Sequence, residues 1–465
     1  MKVATSIFRE YDIRGKYPQE LNEESIKKIA YAIVKKCRKE NVGSLVVGRD
    51  GRLSGPSLID AFCDSLINSG INVKNIGLVT SPMLYFAAKK EISKSGIIIT
   101  GSHNPKNYNG IKMVIDDKPV SGSEILELME DISPLEGLKK GSLVFEDIKD
   151  SYLDEIVSNI KLSNKPKLKV VLDCGNGAAG CVAPELFKKL GCDVYELFSE
   201  VDGNFPNHHP DPGKIENLKD LILEVQKQSA DVGLAFDGDG DRLGLVTNKG
   251  EVIFPDKLMM LFSQDILSRE KGKIVFDVKC SNHLENIISE NGGEPIMAPT
   301  GHFHIKKAIK KTGALLAGEM SGHIFFNHNY YGFDDAVFAS LKFLEYLSNQ
   351  KNTLHNIVND YLIYSSTPEL KLYCKEEVKF KNIEKIVDKI KENSQDLKIN
   401  DLDGIRVEAD DYWYLIRASN TQNCLVFRLE CKKNINFKKK FEEIHKFLSN
   451  FNLDLSELNS FYDTI

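Results

Sequence analysis

Residues 232–246 read VGLAFDGDGDRLGLV, two apolar runs joined by Asp237, Asp239 and Asp241 on alternate positions and followed at once by Arg242. Short apolar runs bounded by turn residues read as buried strands, so the acidic loop joins strands rather than helices. Three carboxylates at this spacing repel unless a cation neutralises them, and an all-oxygen donor set suits a hard ion such as Mg²⁺. A calcium-binding EF-hand loop needs Gly at its sixth position and Glu at its twelfth, where this chain has Arg242 and Asn248. The plainer alternative is an acidic turn facing water, because Gly and Asp favour turns by themselves.

Elsewhere along the chain a strand pattern runs three times into a polar or Gly-bearing loop and then a helical pattern: SLVVGRDGR from Ser44, LKVVLDCGNG from Leu168 and KIVFDVKCS from Lys273. The starts lie one domain length apart, about 120 and about 105 residues, so three similar α/β units are expected. Turn residues near 148, 251 and 366 divide the chain into α/β segments 1–148, 149–251 and 252–366. The remainder, 367–465, holds the strands GIRVEA, YWYLIRA and CLVFRLEC and the amphipathic helix FKKKFEEIHKFLSNF, an α+β pattern. Its Lys-rich helices read as solvated faces.

Composition narrows the function classes. With 42% hydrophobic and 28% charged residues among 465, the chain has the balance of a globular enzyme. A net charge of -6 gives no reason to expect nucleic acid as a partner. Nine scattered cysteines without a CxxC pair suggest reduced thiols, and Arg9 and Glu10 interrupt the N-terminal stretch before a secretory signal could form. No run approaches the ~18 apolar residues of a membrane span. A cytoplasmic protein with no membrane partner is expected, as a monomer or weak dimer.

Three further constellations carry chemistry. In GIIITGSHNPKNYNGIKM, from Gly96 to Met113, Ser102 follows a β-branched strand directly, with His103 beside it and Lys112 one short loop later. Ligands of open α/β sheets bind at the carboxyl ends of strands, so the position suits a nucleophile, although Ser, His and Asn also favour simple turns. GEMSGH sets Glu319, Ser321 and His323 on alternate positions, where an extended backbone aims all three to one side. A carboxylate, a hydroxyl and an imidazole suit a polyol such as a sugar. RASNT, Arg417 to Thr421, precedes Arg428 on the next strand and offers Arg, hydroxyl and amide groups for a phosphate, or else a plain hairpin turn.

One rival pattern is present. Gly175, Gly177 and Gly180 spell GxGxxG after a strand, with Glu196 about 20 residues on, which raises a dinucleotide-dependent oxidoreductase as an alternative. His208 and His209, in a Pro-rich loop, read as loop residues.

TGSHNP, DGDGDR, GEMSGH and RASNT stand in this order in one chain, together with REYDIRG, GRDGR, DGNFPNHHPDP, DVKCS and TGHFHIK. Over essentially its full length the chain resembles the α-D-phosphohexomutase superfamily, and within it the phosphomannomutase/phosphoglucomutase branch. The resemblance implies a four-domain heart shape, three similar α/β domains and a smaller C-terminal α+β domain around a central cleft. It implies a phosphorylated Ser102, Mg²⁺ held by Asp237, Asp239, Asp241 and a phosphoserine oxygen, and Arg14, His103, Lys112 and Arg242 around the moving phosphoryl group. Glu319 and Ser321 would hold sugar hydroxyls, and Arg417, Ser419, Asn420 and Thr421 the phosphate that is not reacting. Tyr11, Lys279, His302, His323 and Arg428 would line the cleft, with Lys112 and His323 as candidates for proton transfer. Sugar phosphates would be the partners and a hexose 1,6-bisphosphate the intermediate. A non-catalytic sugar-phosphate sensor is the second alternative.

Overall fold

The computed structural model describes residues 3–130, 139–163, 167–359, 361, 364–393, 397–419 and 422–465. Four sheets follow one another along the chain. The first three share one plan. In the first, strand Ser44–Arg49 lies between parallel strands Asn72–Leu78 and Gly96–Ile99, and Gly96–Ile99 turns back into antiparallel Tyr108–Ile115. In the second, Lys169–Asp173 lies between Asp193–Leu197 and Val232–Phe236, and the latter turns back into Leu243–Thr247. In the third, Lys273–Asp277 lies between Glu294–Ala298 and Leu316–Gly318, which turns back into Ile324–Phe326. Each plan begins with one of the three strands read from the sequence, and every strand of the Val232–Phe236 and Leu243–Thr247 pair is buried throughout, as unbroken apolar runs require.

The shared plan places three motifs at the same point. TGSHNP, DGDGDR and GEMSGH each form the connection from the third strand of the plan to its antiparallel partner. A continuous apolar cluster containing Phe86, Tyr152, Phe187, Phe236, Phe262 and Phe326 joins the three units, so these connections are held by one packed body.

The fourth sheet is antiparallel, with strands Ile405–Glu408, Tyr412–Ala418 and Cys424–Lys432 side by side. RASNT begins at the end of Tyr412–Ala418, as a hairpin requires. Helices Glu376–Asn393 and Phe437–Leu448 cover the sheet through Ile383, Ile386, Ile390, Phe441, Ile444 and Leu448. Trp413 ties this unit to the third by packing with Val278, and the guanidinium groups of Arg406 and Arg428 stand 3.7 and 5.4 Å from its ring centroid. Arg406 in turn donates to the Cys280 carbonyl at 2.8 Å. No helix among the described residues is long and apolar enough to cross a membrane.

Candidate active site

Ser102 sits at φ +47°, a left-handed conformation that costs a non-glycine residue of order 1 kcal/mol, so its surroundings must enforce it. Arg52 is the enforcing group. Fully buried, it donates to the carbonyl oxygens of Ser102, Asn104, Pro105 and Tyr108 at 2.6 to 2.8 Å. Asp50 balances its charge at 3.2 Å and accepts from Thr100 Oγ1 and the Gly101 N–H. A side chain at Gly101 would collide with the Arg52 guanidinium. The result presents Ser102 Oγ to Asp237 Oδ2 at 2.7 Å and to His103 Nδ1 at 3.2 Å.

The acidic loop meets this turn from the second sheet. Asp237 Oδ1 accepts from the Asp241 and Arg242 N–H groups at 3.0 and 3.1 Å, which closes the loop on itself. Asp239 Oδ2 accepts from Ser81 Oγ, Thr100 Oγ1 and Lys112 Nζ at 2.6, 3.1 and 2.7 Å. Ser81 opens helix Ser81–Lys90, whose positive N-terminal end therefore faces the Asp239 carboxylate. Lys112 also bonds Asp241. All three aspartates are buried, and Asp239 Oδ1 and Asp241 Oδ1 have no hydrogen-bond partner.

Such buried, unpartnered carboxylate oxygens fit a divalent cation. The three side chains can each offer one oxygen within 4.8 Å of the others. Hard oxygen donors with Ser102 Oγ alongside suit Mg²⁺.

The electrostatics follow from burial. Burial, reinforced by Asp239 and Asp241, pushes the Asp237 carboxyl well above the usual carboxylate range. Burial works against a charged Lys112, yet Asp239 and Asp241 hold it well above the ordinary lysine value. His103 goes the other way: burial, then the cations Arg242 and Arg14, hold it well below the histidine value, so it is neutral.

Arg242 Nε donates to His323 Nε2 at 3.0 Å, bridging the acidic loop to the third sheet. His323 leads to His302, whose ring lies 5.6 Å away, and His302 to Tyr11 at 6.2 Å. Tyr11 donates to the Thr300 carbonyl at 2.6 Å and packs on Gly301, whose φ of +127° and lack of a side chain admit the ring. Glu319 is buried, accepting from the Gly301 N–H and from Ser321 Oγ, both at 2.8 Å; burial raises its pKa. Arg14 reaches Asn104 of the serine turn at 3.1 Å and pairs with Asp12.

The fourth unit joins through Asp403, whose Oδ2 accepts from both the Thr300 N–H and Arg417 Nε, at 3.0 and 2.9 Å. Arg417 keeps one buried nitrogen, Nη2, without a partner. Ser419 Oγ accepts from the Gln422 N–H at 3.1 Å. Lys279 reaches Glu369 at 2.8 Å. Arg428, expected to line the cleft, is buried, donates to the Lys279 carbonyl and meets Asp256 at 3.1 Å. Asn420 and Thr421 lie outside the described residues.

An unbroken chain of contacts thus runs from Ser102 to Arg417, through elements of all four sheets. Sequence reasoning missed Asp50, Arg52, Ser81 and Thr100 as supports of the site. The available signal was GRDGR, whose Asp50 and Arg52 directly follow the apolar strand Ser44–Arg49.

The GxGxxG turn has other work. Its Gly177 N–H donates to the Cys174 carbonyl and its Ala178 N–H to Gly238 of the acidic loop, at 2.7 and 3.0 Å. A side chain at Gly177 would stand 2.9 Å from the Gly238 backbone. A pyrophosphate would need both the space and the N–H groups, and Glu196 pairs with Lys188. The glycines let the acidic loop approach, which corrects the dinucleotide reading.

Comparison with known proteins agrees with this architecture. The models for phosphoglucomutase/phosphomannomutase alpha/beta/alpha domains I, II and III match residues 5–135, 150–250 and 254–364, and that for the C-terminal domain residues 369–444. A phosphomannomutase/phosphoglucomutase of Pseudomonas syringae pv. tomato is 48% identical over 431 residues, 92% of this chain and 91% of the relative. A phosphoglucomutase of Neisseria gonorrhoeae is 46% identical over 439 residues, 92% of this chain and 93% of the relative. The crystal structure of a phosphoglucomutase/phosphomannomutase family protein from Burkholderia thailandensis matches with a TM-score of 0.90 at 40% identity, covering 97% of this chain and 100% of that one. Four domain models in order, and near-complete relatives at this identity, mean that the chain belongs to the phosphoglucomutase/phosphomannomutase family.

Proposed function

We propose that the protein is a phosphohexomutase that carries a phosphoryl group on Ser102 and interconverts the 1- and 6-phosphates of mannose or glucose. The observation that supports this most directly is Ser102 Oγ at 2.7 Å from Asp237, a strained, buried hydroxyl met by a cation-binding loop from another unit. Phosphate monoesters react extremely slowly unaided, so positioning and charge neutralisation must supply most of the acceleration.

Starting from phosphorylated Ser102, the O1 or O6 hydroxyl of a bound sugar phosphate attacks phosphorus. The new P–O bond forms as the P–Oγ bond breaks, the sugar hydroxyl proton passes to a base, and Oγ regains a proton. The hexose 1,6-bisphosphate then turns end for end and returns its other phosphoryl group to Ser102 by the reverse step. When bound by Asp237, Asp239 and Asp241, Mg²⁺ supplies positive charge beside the phosphoryl oxygens. Lys112 and Arg242 add fixed positive charge from the protein, and His103, neutral and 3.2 Å from Oγ, positions the serine. Lys112 has both its carboxylate neighbours to satisfy, which favours His323 as the base, its Nε2 lone pair becoming available when Arg242, which donates to it here, turns to the phosphoryl oxygens. Glu319 and Ser321 bind hydroxyls that either sugar orientation presents. Arg417 and Ser419, with Asn420 and Thr421, hold the phosphate that is not reacting. Nine free cysteines support the cytoplasmic location expected from the sequence.

Intact mass spectrometry tests the reading. A single phosphate adduct should be present, absent from Ser102→Ala, and lost when glucose 6-phosphate or mannose 6-phosphate is added. An adduct that survives substrate, or that remains in Ser102→Ala, contradicts it. Sugar-phosphate binding without any phosphate on Ser102 supports the sensor alternative.

A further inference from the structure

We propose that Asp334, with Lys306 as its counter-ion, is a positioning residue that holds the His323 ring with Nδ1 toward it and, together with Arg242 at Nε2, favours the Nδ1-protonated tautomer. Its effect on turnover rests on the phosphohexomutase reading; its geometry stands alone. Arg242 Nε carries a hydrogen and donates it to His323 Nε2 at 3.0 Å, so Nε2 bears a lone pair and the ring proton belongs on Nδ1. Nδ1 faces two buried carboxylates, Asp334 Oδ2 at 3.0 Å and Asp241 Oδ1 at 3.6 Å. Asp334 is the nearer, at ion-pair distance although off the line of the N–H.

Asp334 is firmly placed. Its backbone bridges to Phe325, and the next residue, Asp335, caps helix Ala336–Ser348 through the Phe338 N–H at 2.8 Å. Asp335 is fixed in turn by the hydroxyls of Tyr152 and Tyr330 at 2.9 and 2.8 Å. The other Asp334 oxygen meets Lys306 Nζ at 2.6 Å, and that ammonium lies 4.0 Å from the centroid of the Tyr85 ring. Asp241, His323 and Asp334 also stand close enough to share a cation, but the Lys306 ammonium already supplies positive charge to Asp334. The arrangement is that of a carboxylate beside Nδ1, which favours the tautomer whose Nε2 carries the lone pair that Arg242 bonds here. Lys306 belongs to the helix His302–Thr312 that also carries His302, so one helix fixes both imidazoles.

The test is a double-mutant cycle on sugar-phosphate turnover. Asp334→Ala should lower kcat by about 10- to 100-fold with KM changed less than about twofold. In a His323→Ala background the same change should cost less than about twofold further, because the residue it positions is gone. An equal loss in both backgrounds would overturn the proposal in favour of a general packing role. Should Asp334→Ala not fold, Lys306→Met carries the same comparison. Long-range ¹H–¹⁵N spectra of the unaltered protein decide the point without activity: His323, identified by its absence in His323→Ala, should carry its proton on Nδ1, and a proton on Nε2 sinks the idea. A protein that turns over no sugar phosphate refutes the functional reading, whereas the wrong tautomer refutes this inference.

Discussion

Gly238 lies against the Ser102 carbonyl so tightly that a side-chain carbon there would overlap the oxygen. The acidic loop and the serine turn therefore fit together only because this position has no Cβ. Gly238→Ala should push the two loops apart and lower kcat by ~100-fold, the scale of a misplacement of about 1 Å, while circular dichroism stays unchanged. Wild-type turnover in this variant would show that the approach is incidental.

Arg52 holds four carbonyls and the buried Asp50 at once. Removing it in Arg52→Ala leaves a buried carboxylate unpaired and should cost about 3–5 kcal/mol in chemical denaturation. Arg52→Lys should recover little, since an ammonium cannot span the four acceptors that a planar guanidinium reaches. Full recovery by lysine would mean that charge alone maintains the turn.

Arg417 brings an unpartnered buried nitrogen to the fourth unit's loop, with Asp403 steadying it. Arg417→Ala should raise KM for glucose 1-phosphate on the order of tenfold, the worth of one charge-assisted hydrogen bond. An unaltered KM would favour the plain hairpin turn.

Chelation should abolish turnover and added Mg²⁺ restore it, because Asp239 Oδ1 and Asp241 Oδ1 are otherwise buried without partners. Added Mg²⁺ should also raise the melting temperature, as any ligand of the folded state does. Activity that persists after complete metal removal would contradict the assignment of the aspartates.

His208 lies 3.0 Å from the fully buried Asp173. Burial opposes its charge, but the hydrogen bond and attraction of Asp173 win and raise its pKa above the ordinary histidine value. The stabilisation is therefore complete below about pH 6.5, the unfolded value, and is lost as pH rises through the higher folded value. Urea midpoints at pH 6 and pH 9 should differ less in His208→Gln than in the parent protein. An identical pH dependence would remove the pair as a contributor.

The parts legible in the sequence were those in which chemistry and turn coincide. DGDGDR and TGSHNP each carry their reactive groups and their turn residues within six positions, so one reading gives both. The lysines of FKNIEKIVDKIKEN were legible as a solvated face because Ile383, Ile386 and Ile390 follow the helical period and are buried. Lys306 and Asp334 were not legible as supports, because a buried charge is recognised by its partners and theirs lie in other elements; for Arg52 the nearby Asp50 was visible but the four carbonyls it holds, at 102–108, were not. The GxGxxG pattern misled because glycine marks close approach without saying what approaches.

Because TGSHNP, DGDGDR and GEMSGH occupy one equivalent connection in three equivalent frames, the proposed nucleophile, cation loop and sugar loop are variations on a single socket. Each can diverge without disturbing the strands beneath the other two. Sugar preference can thus be rewritten at Glu319 and Ser321 without altering Ser102 or the aspartates, whereas His323 of the same loop, bonded to Arg242, cannot change so freely.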